Sequence, residues 1–174
     1  AAFPERGATK LMQVRGIEGR FPFYGKIETT PRRASETYQS DKGALVDATA
    51  MLQLGIKVGD SIKIGKVTLP ISGKLNSVPG STAMFSSVAP RVLIPYEFIE
   101  PSGLVKTGSR IDYDFYFKAP KADLIALDQK VDPILDDEEA DLDTHTSTSE
   151  RLGERYDNFG KFLNLVAFIA LLLG

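Results

Sequence analysis

The chain has 174 residues, 43% of them hydrophobic and 25% charged, with a formal net charge of −2 and a pI near 5.5. That is enough to bury one core, or two small ones sharing an interface, and the scattered lysines and arginines leave no basic footprint for nucleic acid. With no cysteine in the sequence, a disulfide framework and Cys-based zinc or redox chemistry are excluded; the opening Ala1-Ala2-Phe3-Pro4 lacks Met and a signal-peptide core, so both ends read as cut.

In chain order, Leu11 to Ile17 alternates and ends in a Gly-punctuated turn, which predicts a strand with one buried face. A short extended piece at Phe23 to Ile27 follows, and the polar stretch Pro31 to Asp41 reads as a surface loop. Ala44 to Asp47 predicts a strand that hands over to a helix, Ala48 to Leu54, with Gly55 at the left-handed cap position. Gly59 and Asp60 supply a tight turn into a half-buried strand around Ile62 and Ile64. Val67 to Leu75 is its partner, with Pro70 marking an edge or a bulge because it cannot donate to a ladder.

Val78 to Ala89 is loop-like but carries Met84, Phe85 and Val88. Such groups usually tuck into a local cluster; the sharper reading is an exposed contact loop for a substrate or partner. Arg91 to Pro95 predicts another apolar strand and Tyr96 to Ile99 a helical turn. Gly108 to Lys118 has the cleanest period of two, with Ile111, Tyr113, Phe115 and Phe117 on an expected core face. Pro120 opens a helix striped by Leu124, Leu127, Val131 and Leu135. Leu142 to Thr146 is a short strand, so the whole reads as α+β.

Chemistry is sparse. The acidic cluster Asp136 to Asp143 lacks the Gly and the spaced Glu of an EF-hand and reads as a solvated helix end. The single histidine, His145, sits in no recognisable nucleophile context and reads as structural. No G-x-G-x-x-G follows a strand and there is no G-K-[ST], so the glycines are turn residues. No catalytic, cofactor-binding or metal site is expected.

The tail, 147–174, changes from a charged helical pattern to an apolar run. Ser147 or Ser149 caps it, and Glu150 completes a capping box with Ser147. Leu152, Tyr156, Phe159, Leu163 and Val166 recur at helical spacing, and the run continues through Phe162, Leu165, Phe168 and Ile169. It is shorter than the roughly 20 apolar residues a spanning helix needs, which by length alone favours a core helix or a partner-facing coil. It stops at maximal hydrophobicity, however, where a core helix would close in a polar or capped turn. A stalk entering a membrane is therefore expected, with Tyr156 and Phe159 at the headgroups.

Five blocks occur in order: Ala44-Leu-Val-Asp47; Leu54-Gly-Ile-Lys-Val-Gly-Asp-Ser-Ile-Lys-Ile-Gly65; Ala89-Pro-Arg-Val-Leu-Ile94; Ser102-Gly-Leu-Val105 with Gly108-Ser-Arg110; and Phe162-Leu-Asn-Leu165. Together they resemble the extracytoplasmic domain of MacB/FtsX-type ABC transporter permeases, with order and spacing most like the YbbP-like branch. The resemblance covers nearly the whole chain; the Leu-Gly-x-x-x-Gly-Asp turn alone is a general strand-turn device.

The resemblance implies a mixed α/β porter-like unit, residues 1–40 and 105–146, with an inserted small β-rich unit, 41–104, and a stalk and truncated transmembrane helix, 147–174. The family has a spanning helix and further porter elements upstream, so the N-terminal unit is expected to be incomplete. It further implies a bacterial inner-membrane permease with this part on the periplasmic side. A separate cytoplasmic ABC ATPase subunit, a second permease copy, the lipid bilayer and a hydrophobic or lipid-like substrate would be its partners, with no cofactor and no nucleic acid. The alternatives are an envelope adaptor that activates a partner such as a cell-wall hydrolase and, behind it, a membrane-anchored enzyme.

Overall fold

A computed structural model describes residues 1–79, 90–118 and 124–135, and the chain divides into two compact units, Ala1–Phe115 and Tyr116–Gly174. The strands are β1 (Ala2–Phe3), β2 (Ala8–Thr9), β3 (Gln13–Ile17), β4 (Glu28–Thr30), β5 (Ala44–Asp47), β6 (Ser61–Ile64), β7 (Val67–Ser77) and β8 (Arg91–Pro95). The helices are α1 (Ala34–Thr37), α2 (Ala48–Leu54), α3 (Ile99–Ser102) and, in the second unit, α4 (Leu124–Leu135), with 3-10 turns at Pro4–Arg6 and Tyr96–Phe98. The result is a mixed α/β arrangement: a curled eight-stranded sheet in the order β2-β1-β6-β7-β5-β8-β3, with β4 also on β7.

β7 holds this sheet together. It is 11 residues long, and its first part pairs antiparallel with β6, Val67 opposite Ile64 and Pro70 opposite Ser61. Its middle runs parallel to β5, from Ala44 opposite Ile71 to Asp47 opposite Leu75. Its end pairs antiparallel with β4. Pro70 lies just before the β5 ladder begins, a place where a missing N–H costs no bond on that side.

Between Ala44 and Leu45 the register slips: their partners are Ile71 and Gly73, so Ser72 is an extra residue. A bulge of one residue turns the strand over, because side chains alternate with a period of two. Leu69 and Ile71 therefore join one apolar cluster, with Ala44, Val46, Ile62, Ile64, Val92 and Ile94. Leu75 joins the other, with Leu45, Leu93, Ile17, Ala34 and Tyr38. Gly73 lies under α1, where an added Cβ would stand 2.6 Å from the Ala34 methyl. All four residues of β5, flanked by β7 and β8, are buried, as expected of a strand covered on both faces.

The β5–α2 junction folds as its sequence predicts. Asp47 is the N-cap, its carboxylate accepting the Thr49 N–H at 2.8 Å and the Ala50 N–H at 3.1 Å. Gly55 closes the helix at φ 64°. Two otherwise orphaned helix donors depend on this one carboxylate. Asp47→Ala is expected to lose about 1–2 kcal/mol in urea unfolding, whereas Asp47→Asn, which keeps an acceptor, should retain most of it.

Several expectations are corrected. Phe23 to Ile27 forms no strand; the strand is Glu28–Thr30, with Thr29 turned inward, its hydroxyl donating to the Pro31 carbonyl at 2.8 Å and accepting the Ser35 N–H at 3.1 Å. Those bonds build α1 inside the expected loop Pro31 to Asp41 and bury Ala34 and Tyr38. β3 starts at Gln13, leaving Leu11 at 87% exposure.

The largest correction is Gly108 to Lys118, which forms no strand. Its expected core face is at the surface: Tyr113 is 60%, Phe115 78% and Phe117 85% exposed. Alternation records a segment's fitness for a ladder and a covering layer, and no described strand pairs with this one. The β1–β6, β3–β8 and β4–β7 pairings join residues before Asp41 to residues after it in one sheet.

Candidate functional site

The residues expected to enter a membrane, Tyr156, Phe159, Phe162, Leu163, Leu165, Val166, Phe168 and Ile169, lie outside the described residues. So do the contact-loop residues Met84, Phe85 and Val88, and His145 with the acidic cluster. Both roots of the contact loop are described. On one side Val78 is buried in the second cluster, and Pro79 packs so closely on Gly25 that a Cβ there would stand 2.8 Å from its ring. On the other, Pro90 accepts the Gln13 N–H at 3.0 Å. Leu75 pairs with Asp47 and Val92 with Val46, so the two roots leave the sheet at the end where β5 hands over to α2.

Among the described residues no group of three or more His, Cys, Asp or Glu is placed to hold a metal, and no helix is long and apolar enough to cross a membrane. An open depression of about 560 Å³ lies beside Ala2, Thr9, Lys10, Leu11 and Lys63. A smaller one of about 340 Å³ lies against α2, beside Met51, Leu52, Ile56 and Lys74. Neither gathers the convergent polar groups of a catalytic pocket.

Glu5, Arg6 and Asp60 make contacts that serve the fold. Glu5 accepts the Ser61 N–H at 3.0 Å, and hydrogen bonds from its own backbone and from Ser61 hold its carboxyl below the usual value. Arg6 reaches Asp60 at 3.4 Å, while Asp60 also accepts the Lys57 N–H at 2.9 Å. These contacts fasten the first turn of the chain to the β6 entry.

What remains is a surface. After the turn at Lys106–Ser109, where Ser109 Oγ donates to the Leu104 carbonyl at 2.9 Å, the chain runs from Arg110 to Lys118 outside any strand or helix. Asp114 is fixed by Arg15 at 2.7 Å. Ile111 (38%), Tyr113, Phe115, Tyr116 (54%) and Phe117 are all exposed. The sequence carried the aromatics of this surface, Phe115-Tyr116-Phe117 in succession, but no signal that they are exposed.

The described residues form a mixed α/β arrangement with a curled sheet and an exposed aromatic segment. Comparison with known proteins gives this fold a setting. Over 94% of its length the chain is 27% identical to the uncharacterized ABC transporter permease YbbP of Escherichia coli strain K12, of which the match covers 20%. It is also 24% identical, over 76% of its length, to the DNA-directed RNA polymerase subunit beta'' of Ostreococcus tauri, of which the match covers 14%. The chain thus spans about a fifth and a seventh of these two relatives. No family model matches, and neither does any solved structure. The more extensive similarity supports an ABC permease-like relationship.

Proposed function

We propose that the chain is the extracytoplasmic domain of an ABC transporter permease subunit. A single observation carries this reading, the similarity to an ABC transporter permease along 94% of the chain. In it, residues 147–174 are the stalk and the start of a spanning helix in a bacterial inner membrane, and 1–146 stand on the periplasmic side. ATP is hydrolysed on a separate cytoplasmic subunit. Its motion reaches the outer domain through the stalk, whose 28 residues from Ser147 would extend about 42 Å at helical rise. The loop with Met84, Phe85 and Val88 meets a hydrophobic or lipid-like substrate, and a second permease copy completes the assembly.

The division into porter-like flanks, 1–40 and 105–146, around an insert, 41–104, belongs to the same reading. In this chain the first flank and the insert share one sheet. The similarity to the polymerase subunit has no support from charge: the chain is net negative, and a nucleic-acid surface needs clustered cations.

The full-length permease, reconstituted in proteoliposomes with its ATPase, should lose a hydrophobic dye only when ATP is present. Loss that ignores ATP, or a permease that co-purifies with no ATPase, would defeat the proposal. The exposed aromatic segment gives the adaptor reading its own support, and there the outer domain should retain a cell-wall hydrolase in a pull-down.

A further inference from the structure

We infer that Ile111–Phe115 is a strap that closes antiparallel on the free edge of β3 and extends the sheet by one strand. Both pieces belong to the first unit. β3 ends the sheet and pairs with β8, in parallel register from Gln13 opposite Arg91 to Ile17 opposite Pro95. Gln13 donates its N–H to Pro90 at 3.0 Å, so the backbone groups of Gln13, Arg15 and Ile17 are turned to β8 and those of Val14 and Gly16 outward. Among the described residues no backbone hydrogen bond reaches Val14 or Gly16 on that outer side, and none joins Ile111–Phe115 to a strand. A bare edge is a template for another strand, and a common deterrent is an edge charge. β3, Gln13-Val-Arg-Gly-Ile17, has that charge in Arg15 alone, and Asp114 already holds it at 2.7 Å.

The ion pair selects the register. With Asp114 opposite Arg15, antiparallel pairing sets Phe115 opposite Val14 and Tyr113 opposite Gly16. The outward groups of Val14 and Gly16 then bond the backbones of the two aromatic residues, and Arg15–Asp114 falls on the non-hydrogen-bonded pair, where side chains come closer. Directly opposed residues share a face. Val14 and Ile99 both pack on the first cluster, and Gly16 lies under Ile99, whose side chain stands where a Cβ would, with Tyr96 beside it. Tyr113 and Phe115, 60% and 78% exposed, are carried by this register to that apolar face. A slip of one residue would put Asp114 there and set an aromatic against Arg15.

The direction follows from the connection. β5 runs antiparallel to β8 and parallel to β7, so the β6–β7 turn and the end of β8 lie at the same end of the sheet. Ser102 is bonded there, its carbonyl accepting the Lys66 N–H at 2.9 Å. From that end an antiparallel strand begins beside Ile17, opposite Pro95, whereas a parallel one would have to begin at the far end, beside Gln13. Closure covers Tyr113 and Phe115, so a partner that takes these side chains must first displace them from β3. The strap is a property of the first unit and stands apart from the transport test.

The sequence contains no cysteine, so an introduced pair reports on one contact. Under mild oxidation the 174-residue chain in detergent carrying Val14→Cys and Phe115→Cys should close an intramolecular disulfide about tenfold faster than one carrying Val14→Cys and Tyr113→Cys, because only the first pair is directly opposed. In the unaltered chain, amide hydrogen exchange at Val14, Gly16, Tyr113 and Phe115 should be about tenfold slower than at Arg110. Asp114→Lys, which sets like charges opposite each other, should release all four amides together. Equal rates for the two cysteine pairs, a disulfide between chains in place of one within a chain, exchange at the four amides as fast as at Arg110, or protection that survives Asp114→Lys would overturn the inference.

Discussion

Gly65→Ala is expected to destabilise the protein by about 2–3 kcal/mol. Gly65 has φ 58°, and a Cβ there would run into the Ser102 carbonyl oxygen, which accepts the Lys66 N–H at 2.9 Å. Two penalties combine. The left-handed backbone costs a non-glycine residue about 1–2 kcal/mol, and moving the carbonyl away breaks a bond worth about 1 kcal/mol at a serine only 1% exposed. Gly55 separates the terms: its φ is 64° with nothing within 4 Å of the Cβ position, so Gly55→Ala should show the backbone part alone. Urea unfolding of both variants measures the difference; equal losses would mean that the Ser102 contact yields at no cost.

Tyr38 should give the second large effect, with opposite outcomes for two substitutions. The side chain is 1% exposed and its hydroxyl has no hydrogen-bond partner of ordinary geometry. Tyr38→Phe removes an unsatisfied polar atom and keeps the ring, so stability should hold or rise by up to about 1 kcal/mol. Tyr38→Ala leaves a cavity beneath α1 and should lose about 3–5 kcal/mol.

Burial pushes the phenol up to about 12, offset in part by the Gln39 side chain, while an unfolded tyrosine titrates near 10. The folded state thus holds the proton more tightly. Below pH ~10 neither state ionises and the group adds no pH dependence; between about 10 and 12 the unfolded chain alone loses the proton, and stability falls. The Tyr38→Phe variant lacks this group, so its advantage should grow by up to about 2 kcal/mol across that window.

Legibility from sequence followed the range of the interactions. β5, α2 and Gly55 were readable to the residue, because cap, helix and left-handed stop act within a few positions. Ser61–Ile64 and Arg91–Pro95 were readable for the same reason, each a short apolar run bounded by turn residues. β1 and β2 were not: they are two residues each, too short for any period, and exist through Lys63 and through each other. Polar composition hid α1 and Tyr38, since one buried tyrosine among Arg32, Arg33, Glu36 and Gln39 carries no periodic signal.

Residues 108–118 failed in the opposite way. The period was real, but a period states what a strand would do with neighbours and cannot supply them. The same limit governs the site: the exposure of Tyr113, Phe115 and Phe117 depends on what surrounds them. Met84, Phe85, Val88 and the tail from Ser147 lie outside the described residues.

One consequence of the bulged β7 concerns how the first unit comes apart. The strand is the common spine for β4, β5 and β6, and its two halves feed opposite apolar clusters. Neither cluster can open without pulling the backbone that lines the other. Melting of 1–115 should therefore be concerted, and a nick near Asp41 would leave its two pieces clasped together rather than release a free-standing module.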